Sequence, residues 1–143
     1  MPTISKGRTM GDVVRYILHP GYCIVSAYVV NPNAAAYAAQ NLVGQPVKAS
    51  GANFVFVEST DEAAVIGLFM HDKPVALGVS ETTTIKYPIL VRGPALVDQD
   101  SLPVNDVAGV AFDTVAELVT ALAALDPPII AVRQPVTVSE QTD

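Results

Sequence analysis

The sequence predicts a mainly β domain of the α+β class. Most of the chain is made of short runs rich in Val, Ile, Tyr and Phe, each bounded by Gly, Pro or Asn. One late segment alone carries a sustained helical period. Strands and helices do not alternate, which argues against a doubly wound sheet. A chain of 143 residues holds one domain with a real core and not comfortably two. The expected organisation is a flexible N-terminal arm over 1–12, a single β-rich body over 13–138 and a polar tail over 139–143.

The elements follow in chain order. Residues 1–12 contain Pro2, Gly7 and Gly11 and no period. "CIVSAYVV" (23–30) lies between the turn signals "HPGY" and "NPN" and reads as one strand. "NAAAYAAQN" (33–41) has helix formers behind a capping Asn, and is too short to stand unaided, so a short helix or a loop is expected. "QPVKASGANFVFVEST" (45–60) reads as a hairpin turning at Ser50-Gly51-Ala52-Asn53. "AAVIGLF" (63–69) reads as a buried strand in which Gly67 permits a bulge or close packing.

"KPVALGV" (73–79) and "TTTIKYPILV" (82–91) are two further strands. In the second, Ile85, Tyr87, Ile89 and Val91 are expected on one face. Pro88 donates no ladder hydrogen bond, which places that strand at an edge or at a bulge. The helix is expected over 114–125, where Val115, Leu118, Val119, Leu122 and Leu125 share one side. Thr114 and Glu117 have capping-box spacing, and "DPP" (126–128) stops the helix. "IIAVRQPVTV" (129–138) is expected to be extended.

Composition narrows the function classes. Apolar residues make up 50% of the chain but charged ones only 15%, against about 25% in ordinary soluble domains. Mean hydropathy is +0.39. A lone monomer seldom exposes large contiguous apolar patches, so self-association or a partner surface is expected. The longest apolar run, "AAVIGLFM", has eight residues, far short of the ~20 that span a bilayer. The start, "MPTISKGRTMGD", has no apolar signal core, so a product of the cytoplasm with no membrane partner is expected. Net charge is −6, of which residues 98–143 contribute −7 and residues 1–97 contribute +1. Nucleic acid is not an expected partner, because phosphate binding needs clustered Lys and Arg.

Motifs for chemistry are sparse. Cys23 is the single cysteine, so no internal disulfide or Cys-rich zinc site can form. His19 and His71 both fall in turn sequences, away from any nucleophile motif. The acids Asp98, Asp100 and Asp106 are expected in a solvated loop and "TDE" (60–62) in a turn, with no EF-hand spacing. No glycine-rich nucleotide cradle is present. The expectation is a chain that binds rather than catalyses, with no cofactor and no metal.

Three segments in order then carry a resemblance. "NLVGQPVKASGANFVFVESTDEAAVIGLF" resembles the middle of the lambda-type phage head decoration proteins, with their G-x-P strand, hairpin and following strand. "YPILVRGPALVDQDSL" is similar to their V-L-V-R-G-P-A-x-V strand and loop. "VAELVTALAALDPPIIAVR" is similar to the helix that ends many of them, although "DPP" replaces the usual glycine. The resemblance spans roughly residues 41–133.

It implies a β-clip-like domain with a bent β-ribbon and a small helical part. It also implies a structural virion protein, carried as homotrimers on the outer surface of a tailed-phage capsid at threefold and quasi-threefold positions. Such trimers stabilise the expanded shell, and the N-terminal arm adds a strand to the major capsid protein. The arm residues singled out are Thr3, Ile4, Ser5, Lys6 and Arg8. Arg92 is expected at a strand end, fastening the Gly93-Pro94 turn or a subunit contact, with Gly93 permitting an unusual backbone and Pro94 stiffening it. The competing expectations are a small oligomeric β-domain enzyme or ligand-binding module, which would gather His19, His71, Cys23 or the 98–106 acids, and another virion part from the tail or baseplate.

Overall fold

The structure, a computed structural model of the chain, describes residues 9–133. It is mainly β, as expected, with one multi-turn helix. The chain opens with a helical turn, α1 (Met10–Val13), strand β1 (Val14–Ile17) and a second turn, α2 (Pro20–Cys23). Strands β2 (Ile24–Ala27), β3 (Val29–Val30), β4 (Tyr37–Asn41), β5 (Pro46–Ser50) and β6 (Asn53–Phe56) follow. Then come β7 (Gly67–Phe69), β8 (Pro74–Leu77), β9 (Tyr87–Leu90), β10 (Ala95–Asp98), helix α3 (Val115–Ala123) and β11 (Ile129–Val132).

The main sheet has six strands in the order β2-β9-β7-β5-β6-β3. Its two outermost strands are separated in sequence by Tyr28 alone. Laid flat, six strands at about 4.8 Å spacing would hold those edges about 24 Å apart. One intervening residue spans no more than about 7 Å between Ala27 and Val29. The sheet therefore curls back on itself. The expected single strand over 23–30 is really two, which lie at opposite edges of one curled sheet.

The curl gives the sheet an inside and an outside, and period-2 alternation fills both. Phe69, Ile89 and Phe56 join an inner cluster with Val29, Val47 and Leu77. Their immediate neighbours Leu68, Leu90 and Val57 join an outer cluster with Cys23, Val43, Leu118, Leu122 and Ile129. Edge-to-face contacts link Tyr37, Phe56 and Phe69, with ring centroids 6.2 and 5.3 Å apart. Continuous apolar runs such as "YPIL" arise because both faces are buried.

The hairpin forms as expected. Ser50 pairs with Asn53 across a two-residue turn, and Gly51 has φ +62°, the backbone a tight hairpin asks of its first turn residue. Other expectations need correcting. Tyr37–Asn41 is a strand paired antiparallel to β8, not a helix, because pairing and the burial of Tyr37 outweigh alanine's weak preference. Over 63–69 only Gly67–Phe69 is strand, and Glu62–Ala64 is a 3-10 turn. Over 82–91 only Tyr87–Leu90 is strand, and Ile85 is 57% exposed while Ile89 is fully buried. Residues 82–83 instead clip β3: Val30 bridges Thr82, and the Thr83 hydroxyl accepts from Val29 N–H at 3.1 Å.

Pro88 also lies inside the sheet, since β9 pairs with both β2 and β7. The Pro88 carbonyl accepts from Met70 N–H at 2.9 Å. The donor Pro88 lacks would point to that same side, where β7 has already ended at Phe69.

The start of α3 differs from its expected capping box. Thr114 makes no side-chain cap. The buried carboxylate of Glu62 instead accepts from Thr114 N–H at 3.1 Å and Asp113 N–H at 2.5 Å. The acceptor comes from fifty residues upstream rather than from Glu117, so it ties the helix to the 3-10 turn before β7 as well as capping it. Replacing Glu62 by Ala strands the Thr114 N–H and leaves Asp113 N–H only its longer bond to the Ser59 carbonyl at 3.2 Å, and should lower unfolding free energy by about 2 kcal/mol, whereas Thr114→Ala should cost less than about 0.5 kcal/mol. Urea titration of the two variants checks the contrast.

Candidate interaction surface

A smaller sheet, in the order β1-β10-β11, packs beside the first. β1 and β10 are antiparallel, and β10 and β11 parallel. Its inner side carries Ala95, Val97 and Ile129 into the outer cluster beneath α3. Its outer side has no covering element among the described residues. There Tyr16 stands opposite Leu96, and Leu96 opposite Ile130. The register thus lines three apolar side chains in one row across three strands, 49%, 38% and 39% exposed. Leu18 extends the row at the β1 end, where its N–H donates to the Pro94 carbonyl at 3.1 Å. Pro94 and Pro128 help to line the shallow apolar depression over the row.

Charges flank this row in pairs. Arg15 occupies the irregularity in the β1 register and its guanidinium donates to the Asp98 carboxylate at 2.7 Å. Asp98 is buried, and it also accepts from Asp100 N–H and the Ser101 hydroxyl. The expected solvated loop is therefore corrected at Asp98, which is an internal clamp. Arg133 and Asp100 form a looser, exposed pair at 3.6 Å.

Arg92, Gly93 and Pro94 lie at the entry to β10. The Arg92 guanidinium donates to the Tyr22 carbonyl at 2.6 Å and sits 4.7 Å above the Tyr22 ring. It fastens the α2 turn rather than the Gly93-Pro94 turn. The Gly93-Pro94 peptide bond is cis, the unusual backbone expected there, and Gly93 has a further role. A Cβ there would lie 1.7 Å from the Pro128 carbonyl oxygen, so close backbone approach, not an unusual φ, demands glycine. Gly93 N–H donates to the Pro127 carbonyl at 2.8 Å, which joins the entries of β10 and β11. The arm residues Thr3, Ile4, Ser5, Lys6 and Arg8 lie outside the described residues, as does the chain after Arg133.

Of the residues a catalytic alternative would gather, His19 and Cys23 meet across the α2 turn, where Cys23 N–H donates to the His19 carbonyl at 2.9 Å, and the others lie on separate elements. Cys23 is fully buried, its Sγ 4.0 Å from the Pro94 carbonyl oxygen. His71 packs edge-on against Tyr87 and Phe69, and His19 precedes the α2 turn. Among the described residues no three His, Cys, Asp or Glu side chains group together. A cavity of about 450 Å³ opens beside β4, with Ala35, Ala36, Ala38 and Ala108 in its apolar wall and Asn33, Tyr37 and Gln40 as its polar lining. Burial pushes the Tyr37 phenol above its ordinary pKa, and the nearby Glu58 and Asp106 charges push it the same way. It stays neutral and accepts a hydrogen bond from the Asn33 amide at 2.9 Å.

The row Tyr16–Leu96–Ile130 was not singled out from sequence. A signal was present: "PALVD" and "PIIAV" are apolar at both parities, so each strand carries apolar groups on two faces. Comparison with protein-family models, curated proteins and solved structures finds no match to this chain.

Two substitutions separate the roles at the β10 entry. Gly93→Ala should destabilise the fold by more than about 3 kcal/mol, since the clash is with backbone. Arg92→Ala should cost only about 1 kcal/mol, the scale of one exposed cation–π contact and hydrogen bond. Thermal denaturation of the two variants reads the difference.

Proposed function

We propose that the chain is a structural virion protein that decorates the outer surface of a tailed-phage capsid. In this reading homotrimers sit at threefold and quasi-threefold positions and stabilise the expanded shell. The N-terminal arm, with Thr3, Ile4, Ser5, Lys6 and Arg8, adds a strand to the major capsid protein. The observation that carries the reading is the exposed apolar row of the β1-β10-β11 sheet, a surface built to be covered. The mainly β body, the low charge and the order of the three similar segments support it.

Physically the reading needs only weak contacts in parallel. Strand addition supplies affinity through main-chain hydrogen bonds. Three arms on one trimer raise the effective concentration of one another, so each arm alone can bind weakly.

Electron microscopy of the protein mixed with expanded shells of the same phage tests the proposal directly. Protrusions at threefold sites are expected, and bare shells at saturating protein would overturn it. Deleting residues 2–8 should leave the unfolding transition unchanged and abolish decoration, because Val13 and the rest of the described core are retained. Replacing His19 and His71 together by Ala should leave decoration unchanged, whereas a catalytic or ligand-binding role would not survive it.

A further inference from the structure

We infer that the outer face of the β1-β10-β11 sheet is the contact between copies of this chain, with Tyr16, Leu96 and Ile130 at its centre. The inference deepens the decoration reading and rests on its assumption that the chain self-associates. Three observations select a second copy as the occupant. The first is shape. The register sets the three side chains side by side across one sheet, so the face is shallow and apolar, with no deep groove for a foreign helix or peptide.

The second is charge. The chain carries −6, so two copies approaching at random repel. This face escapes that penalty. Arg15 pairs with Asp98 and Arg133 with Asp100 at one end of the strands. At the other end Arg92 and Asp126 each stand one residue before the hydrogen-bonded Gly93 and Pro127. Three bases balance three acids around an uncharged centre. These six charges cancel, so a partner recognised by charge would find no excess of either sign among them, and a second copy meets no like-charge excess there.

The third is size. The exposed parts of Tyr16, Leu18, Leu96 and Ile130 amount to on the order of 300 Å² of apolar surface, well below the roughly 800 Å² each partner gives a standard interface. That is an interface core needing a polar rim, and it is too small to divide between two separate contacts. In a trimer the same face of all three copies would therefore meet around the threefold axis.

Sedimentation velocity of the full chain over a range of concentrations tests this, with shell binding measured in parallel. Leu96→Asp should abolish the associated species, while Val79→Asp and Val110→Asp, at exposed apolar positions outside this sheet, should leave it intact. Should Leu96→Asp fail to fold, as judged by circular dichroism, Ile130→Ser decides, with loss of the associated species again expected. A parent that stays monomeric at every concentration, or variants that associate as the parent does, overturns the inference. A parent that associates through this face yet never binds shells upholds the inference and removes the decoration reading. An assembly of two copies rather than three upholds the contact and removes the trimer.

Discussion

The fold turns on the single residue between β2 and β3. Because Tyr28 alone joins the two edges of a six-stranded sheet, the sheet has no choice but to curl. Phe54 N–H donates to the Tyr28 carbonyl at 3.1 Å, so even the connecting residue belongs to the ladder. The curl converts one sheet into a partition between two cores. The aromatic cluster fills the concave side, and the convex side meets α3 and the smaller sheet. The exposed row exists because of that division: the smaller sheet spends one face closing the outer core and has nothing in the described chain for the other.

Three buried polar side chains hold the loops that the curl leaves at its rims. Asn31 donates from its amide nitrogen to the carbonyls of Ala35 and Gly78 and accepts from Asn33 N–H, which ties the β3–β4 loop to the β8–β9 turn. Glu62 caps α3 from outside the helix. Asp98 joins Arg15 to the turn after β10. Each is at least 96% buried and each takes part in at least two hydrogen bonds. Removing one partner would leave the rest without water, so these sites are fastened far more tightly than surface loops.

Local signals were legible where local chemistry decides the structure. Gly51 announces the hairpin, and the spacing of Leu118 and Leu122 announces the helix face they bury. What failed did so for non-local reasons. No window around Thr114 contains Glu62, so the helix cap looked like a capping box. "CIVSAYVV" looks like one strand because nothing in it says that its halves pair with residues 87–90 and 54–55. Tyr37–Asn41 looks helical because alanine hides the partner strand β8. The candidate surface was half legible. Low charge announced that apolar area would be exposed, but only the pairing of β1, β10 and β11 puts Tyr16, Leu96 and Ile130 in one row.

An open sheet can associate through its edges or through its faces, and this one is arranged against the first. Unpaired edges invite indiscriminate strand pairing, which proteins block with bulges, charges and prolines. The β1 edge carries all but the proline: its register is broken at Arg15, whose charge is anchored to Asp98. The β11 edge begins directly after Pro127 and Pro128 and runs for only four residues. With both edges blunted, the remaining attractive surface is the face between them. Contact through a face is specific in a way that edge pairing is not, because it depends on which side chains the register brings together. Slipping β10 by one residue would turn Leu96 inward and Val97 outward, losing the row and the core position at once. The same register therefore specifies both the buried side that holds the domain together and the exposed side proposed to hold copies together.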